Sequence, residues 1–210
     1  AEGEVGRVDL TVSTTNYEDF ALTIIINAKN KLIPTGAPTL SKSAITYGDK
    51  LSTITLRGAM EYESEEVPGS FVWLEPASVP HAGTYPAQWR FTPDDTDVYQ
   101  IVTGSTDVTV GKAALTVTAE DKSVVFGNDA PAFTVRYTGF VNGDDAGKLS
   151  GTLDFTCAYA KGSGVREEGY AITPKGLESA DYRITFTAGK LTVTKAEAVV
   201  TAPGGRALTY

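Results

Sequence analysis

The chain has 210 residues, long enough for one large domain or two small ones, each able to bury a modest core. Its hydrophobic share of 41% and charged share of 21% are those of a folded globular chain, not a disordered one. The formal charge of −8 argues against a nucleic-acid partner, because a phosphate backbone needs a cationic surface. The longest apolar run, "ALTIIINA" at 21–28, is far short of the roughly 18 residues of a membrane helix. No signal peptide is visible, so any export signal is expected outside these residues. One cysteine forms no internal disulfide, and packing alone must hold the fold.

Taken in chain order, the pattern is period two almost throughout. "NYEDFALTIIINAKNK" (16–31) predicts a strand with Leu22, Ile24 and Ile26 on one face. "ITYGDKLSTITL" (45–56) reads as strand, turn and strand. Around Trp73, Phe71 shares a face with the indole while Val72 and Leu74 make the opposite face apolar too. In "GTYPAQWRF" Trp89 is in phase with Phe91 and alternates with Gln88 and Arg90, which predicts a core face. Further on, Leu153, Phe155, Cys157 and Tyr159 share a face, as do Tyr182, Ile184 and Phe186, and then Leu191 and Val193. Glycine and proline, 21 and 10 of them, punctuate these runs, and no 11-residue window reads as an amphipathic helix. Short strands with turn signals between them predict an all-β sandwich or barrel.

The phrases repeat. Tyr47-Gly48 returns as Phe126-Gly127, 79 positions later, and "FTPDDTDVYQIVTGSTDVTVGKA" (91–113) returns as "ITPKGLESADYRITFTAGKLTVTKA" (172–196). Tyr99 thus matches Tyr182, and the same register carried backwards puts Tyr17 in that place. Carried forwards, "AVVTAPGGRALTY" (198–210) parallels "ALTVTAEDKSVVF" (114–126). The expectation is two tandem immunoglobulin-like β-sandwiches with a partial repeat at each end, as if cut from a longer array. The parts are 1–32 (closing strands of a preceding repeat), 33–112 and 113–196 (the two sandwiches), and 197–210 (the opening strand of a following repeat). "VGKAAL" holds no spacer, so the last strand of one sandwich should run directly into the first of the next. A tyrosine after a short polar turn, as in "TDVYQI" and "SADYRI", fits the corner tyrosine of such sandwiches, with Ile101 and Ile184 at the core position where antibody domains carry a cysteine.

These residues resemble a known family. "ALTVTAEDKSVVFGNDAPAFTVRYTGFVNGDD", "LSGTLDF" and "YAITPKGLESADYRITFTAGKLTVTKA" are similar to the MBG repeat of bacterial surface proteins, the type named for its YG-x turn. "ITYGDKLSTITLRGAM", "FVWLEP" and "GTYPAQWRFTPDDTDVY" resemble a sister class, so that the resemblance covers roughly 33–196. Phe126 replaces the usual tyrosine, and "CAYAKGSGVREEGY" is longer and more charged than the usual segment. The resemblance implies a tandem module of large secreted or wall-attached proteins, often adhesins, with no enzyme activity and no catalytic residue to transfer.

Candidate chemistry is sparse. His81, the single histidine, sits in a Pro/Gly-rich loop, which leaves no multi-histidine metal site and makes any Ser-His-Asp arrangement depend on one loop residue. Cys157 lies in phase with Phe155 and Tyr159 and reads as a small hydrophobe. Asp94, Asp95 and Asp97, and likewise Asp144 and Asp145, read as turn carboxylates, since neither stretch has the spacing or terminal glutamate of a calcium loop. "GSGVREEG" (162–169) lacks the lysine of a phosphate loop, and Glu167 and Glu168 would repel phosphate. "LIPTG" (32–36) is internal and has Ile33 where a wall-sorting signal needs proline. We therefore expect no catalytic residue, no metal and no cofactor.

Two functions of different class follow. One is a structural stalk of a secreted or cell-surface protein, whose partners are neighbouring repeats of the same polypeptide. The other is a module that binds host glycan or mucin through exposed aromatics of the first unit, Trp73 and Trp89 foremost. Burial of the two tryptophans separates them.

Overall fold

The computed structural model describes residues 3–198. Among these the regular structure is strand, with two short 3-10 turns, and no helix is long and apolar enough to cross a membrane. In chain order the strands are β1 (Gly3–Val12), β2 (Phe20–Ala28), β3 (Thr39–Leu40), β4 (Ala44–Thr46), β5 (Leu56–Arg57), β6 (Met60–Tyr62), β7 (Glu65–Val67) and β8 (Gly69–Trp73). There follow β9 (Gly83–Pro93), β10 (Val102–Gly111), β11 (Ala113–Ala119), β12 (Lys122–Val125), β13 (Val135–Thr138), β14 (Ser150–Thr156), β15 (Tyr170–Glu178), β16 (Tyr182–Thr187) and β17 (Gly189–Thr194). Lys112 alone separates β10 from β11. The opening strand expected at 197–210 falls, from residue 199 on, outside the described residues.

The chain packs as two compact units. Unit 1 takes the described residues up to Ser43 with Lys50–Ser78 and Pro86–Val108; unit 2 takes Ala44–Asp49, Val79–Tyr85 and the described residues from Thr109 on. The repeat register places 44–49 and 79–85 within 33–112, whereas packing places them in unit 2.

In unit 1, β8 pairs antiparallel with β9, setting Phe71 opposite Phe91 and Trp73 opposite Trp89. Along β9 the alternation expected from sequence holds: Ala87, Trp89 and Phe91 are buried, and Gln88 and Arg90 are exposed. Leu51, Ile54, Met60, Val67 and Val108 complete the buried apolar set. The Trp73 indole Nε1 donates to the Ile54 carbonyl at 2.8 Å, which satisfies the polar end of a side chain whose apolar body supplies core area. Gly104 of β10 lies against the Trp89 ring, and the indole occupies the space a Cβ there would need. Gly104→Ala is therefore expected to lose about 1–2 kcal/mol by overpacking, measured by urea unfolding followed through tryptophan fluorescence.

Unit 2 is a sandwich. One sheet has the order β13-β11-β16 and the other β12-β17-β15-β14. Ala119, Val124, Tyr170, Ile172, Leu191 and Val193 are buried together, with Phe133, Phe155 and Cys157 partly buried against them. β11 runs parallel to β16, Ala113 beside Tyr182, and β12 runs parallel to β17, Val124 beside Val193. The opening stretch 113–125 and the closing stretch 182–194 thus change sheets together, the first at Glu120-Asp121 and the second at Ala188. The Asp121 carboxylate marks that crossing by accepting from the Lys190 amide at 2.7 Å.

One expectation is corrected. Ile101 does not occupy a core position: it is 52% exposed, while Ile184 is half-buried. The reason is parity. Strand β10 is continuous and buries Val108 and Val110, so an odd-numbered residue faces out. The break at Ala188 shifts the phase, so even positions of β16 and odd positions of β17 both face inward.

Candidate functional site

A connected polar cluster lies in unit 2 and is built on Tyr182. The turn before it is capped by Ser179, whose Oγ accepts from the Asp181 and Tyr182 amides, each at 3.1 Å. The Tyr182 hydroxyl accepts from the Val141 amide at 3.1 Å and donates to Asp144 Oδ2 at 2.8 Å. The Tyr47 hydroxyl donates to that same oxygen at 2.9 Å. Ring packing supports the polar contacts, since Tyr182 meets both Tyr47 and Phe140 edge-on with centroids 5.4 Å apart. Tyr47 stacks in turn on His81 at 5.9 Å.

Asp181 forms the second half. Its Oδ2 lies 2.8 Å from His81 Nδ1, and its Oδ1 accepts from the Ala82 amide at 2.9 Å. The two aspartates bind three distant segments, 44–49, 79–85 and the 140–144 loop, to the start of β16. Hydrogen bonds from Tyr182 and Tyr47 hold the Asp144 carboxyl below the usual carboxylate range, against the opposing effect of partial burial. Burial, reinforced by the adjacent Asp144 charge, pushes the Tyr182 phenol up to about 12; burial likewise raises Tyr47. Asp144 thus accepts from both phenols, and the arrangement ties the 140–144 turn to the start of β16.

The other residues singled out from sequence separate from this cluster. His81 is a surface residue as expected, its side chain 76% exposed, yet it is held by Asp181. Cys157 follows β14, half-buried against the core as its phase predicts. Asp95 Oδ1 accepts from the Asp97 and Val98 amides at 3.1 Å, and Asp145 Oδ1 caps the 3-10 turn 146–148 through the Gly147 amide at 2.8 Å. In the 162–169 loop, Arg166 lies over the Tyr170 ring at 4.5 Å and the Glu167 carbonyl accepts from Lys190. Trp73 and Trp89 are both buried, 8% and 4% exposed, as the core reading expects, so they form no exposed aromatic platform.

The Tyr182 hydroxyl anchors a turn, as the corner reading expects. That turn holds residues 141 and 144, which stand 41 and 38 positions upstream instead of the few that separate an immunoglobulin corner tyrosine from its partner. Tyr99 differs, packing edge-on with Tyr62 at 6.3 Å. What sequence reasoning missed was the pairing: Tyr47 and Tyr182 were visible as repeat markers, but nothing local joined them to Asp144, or His81 to Asp181. The one usable signal was that both tyrosines recur at fixed places in the repeat.

Residues 115–192 match the family model of the MBG domain (YGX type). No curated protein matches the chain. Among solved structures, the fibronectin(III)-like modules of Clostridium thermocellum CbhA align at 14% identity, over 79% of this chain and all of theirs, with a TM-score of 0.22. At that score the alignment carries no structural argument.

Proposed function

We propose that the chain is a non-catalytic, load-bearing segment of a large bacterial cell-surface protein, a stalk of tandem repeats within an adhesin. In this reading 33–112 and 113–196 are complete repeats, 1–32 closes a preceding one and 197–210 opens the next. Neighbouring repeats of the same polypeptide are its partners. The MBG match over 115–192 supports the extracellular, structural class.

One observation carries the mechanical part. In unit 2 the opening and closing strands lie side by side and parallel, β11 with β16 and β12 with β17. Tension applied between Ala113 and Thr194 runs along both strands in opposite directions. Their hydrogen bonds then lie across the force and must fail together, as a shear, rather than one at a time. The antiparallel pair β14–β15, which meets neither end, has no such protection.

Single-molecule force spectroscopy tests this. Pulled between Ala113 and Thr194, unit 2 is expected to rupture at a force several times that needed when one attachment is moved to exposed Gly164→Cys, with Cys157→Ala to keep that attachment unique. Equal forces in the two geometries would overturn the load-bearing reading. The glycan reading has lost its principal residues, because Trp73 and Trp89 are buried.

A further inference from the structure

The loop that carries Asp144 holds the only Asn-Gly pair in the sequence, Asn142-Gly143. Both residues are left-handed, with φ of 59° and 75°, the backbone that a mirror-image turn demands and that asparagine and glycine supply most readily. The turn closes where the Asp144 amide donates to the Val141 carbonyl at 2.9 Å. Its two ends are gripped. The Val141 amide donates to the Tyr182 hydroxyl at 3.1 Å, and the Val141 side chain fills the space that a Cβ on Gly48 would need. Asp144 Oδ2 accepts from Tyr47 at 2.9 Å and from Tyr182 at 2.8 Å.

The middle of the turn is open. Asn142 and Gly143 are exposed, and no atom lies within 4 Å of the position that a Cβ on Gly143 would take. Among the described residues the Gly143 amide donates to no acceptor. The Asn142 side chain lies beside the Tyr47 hydroxyl; burial raises that phenol, and the amide works the other way. A free amide one bond from an asparagine carboxamide can react with it. Once its proton has passed to hydroxide, the Gly143 nitrogen adds to Asn142 Cγ. The new N–Cγ bond forms, the Cγ–Nδ2 bond breaks, and ammonia departs with a proton taken from water, leaving a cyclic imide. Water then opens the ring, giving aspartate by attack at Cγ or isoaspartate by attack at the backbone carbonyl. Glycine favours the first step because it puts no side chain in the path of the nitrogen, and asparagine is a thermolabile residue for this reason. The chain supplies its own comparison: Asn16, Asn30 and Asn128 are exposed too, but Tyr17, Lys31 and Asp129 follow them.

We propose that Asn142-Gly143 is a site of spontaneous deamidation whose products release the Asp144 clamp. Isoaspartate carries the chain through its side-chain carbons, so one extra methylene enters the backbone between the two gripped ends. The bond from Asp144 to Val141 then no longer closes the turn, and Asp144 leaves the point where both phenols reach it. Aspartate keeps the backbone but sets a second carboxylate beside the Tyr47 hydroxyl, which has one proton to give. The change runs one way, since ammonia is lost to solvent. The inference is independent of the load-bearing reading.

The test ages the full 210-residue chain in mildly alkaline buffer, digests it with trypsin and weighs the peptide "YTGFVNGDDAGK" (137–148). Its mass should rise by the difference between a hydroxyl and an amino group, with fragments that place isoaspartate at 142, while Asn16, Asn30 and Asn128 stay intact. Asn142→Gln, which would have to close a larger ring, should keep its amide. Thermal unfolding followed by near-UV circular dichroism of the tyrosines reads the consequence. Aged wild type should fall towards the stability of Asp144→Leu, and ageing should take nothing further from Asp144→Leu, because one clamp is lost only once. Should Asp144→Leu fail to fold, Tyr47→Phe replaces it, and ageing should cost that variant less than wild type. An Asn142 that stays intact in the folded chain while the isolated 137–148 peptide converts overturns the proposal, since the turn then protects it. Equal losses on ageing in wild type and variant overturn it as well, because the contact released is then not the one that Asp144 makes.

Discussion

Phe91→Ala is expected to cost about 3–5 kcal/mol, the largest effect of any single truncation in unit 1. Phe91 is fully buried, tilts against Phe71 at 4.8 Å between centroids, and stands in the middle of the Ala87, Trp89, Phe91 face of β9. Removing the ring forfeits its transfer energy and leaves a void that strand backbones cannot close without losing their ladder. Both tryptophans of the chain lie in unit 1, so a urea titration followed by tryptophan fluorescence reads this unit. A loss under 1 kcal/mol would mean that the β8–β9 sheet does not carry the core assigned to it.

Asp144→Leu should cost about 3 kcal/mol in unit 2, from two hydrogen bonds to a charged acceptor worth about 1.5–3 kcal/mol each. Tyr182 recovers part, because its hydroxyl has the Val141 carbonyl within 3.3 Å; Tyr47 loses its acceptor outright. The effect should carry a pH signature. The folded carboxyl titrates below its unfolded value, so its stabilisation is fully present above about pH 4 and is lost as pH falls through the lower folded value. The wild-type and Asp144→Leu stabilities should therefore converge in acid. At the alkaline end the sign reverses. The Tyr182 phenol is raised to about 12, so its contribution is whole below about pH 10 and disappears as pH rises through about 12. Tyr182→Phe should flatten that alkaline loss. Near-UV circular dichroism of the tyrosines across pH measures both, and parallel acid curves for wild type and Asp144→Leu would remove Asp144 from its assigned role.

Much of the fold was legible because a strand writes its burial into every second residue. That period placed Trp89 and Phe91 inward, Gln88 and Arg90 outward, and Cys157 against the core. The recurring tyrosines and the "TYG" and "VFG" turns marked the repeat, because a turn is a local event specified by its own residues. What only the tertiary structure decided depends on contacts distant in sequence. The sheet change at Ala188 restores Ile184 to the inner side, while unbroken β10 leaves Ile101 outside, and no pattern within either stretch distinguishes the two. Asp144 reads as another solvated turn carboxylate until Tyr47, 97 positions earlier, and Tyr182, 38 positions later, converge on one of its oxygens. Likewise the even face of β1 and β2 announces a buried surface, and alternation alone cannot say whether anything covers it. Local sequence sets which side of a strand is apolar; the partner that meets that side is set by the path of the rest of the chain.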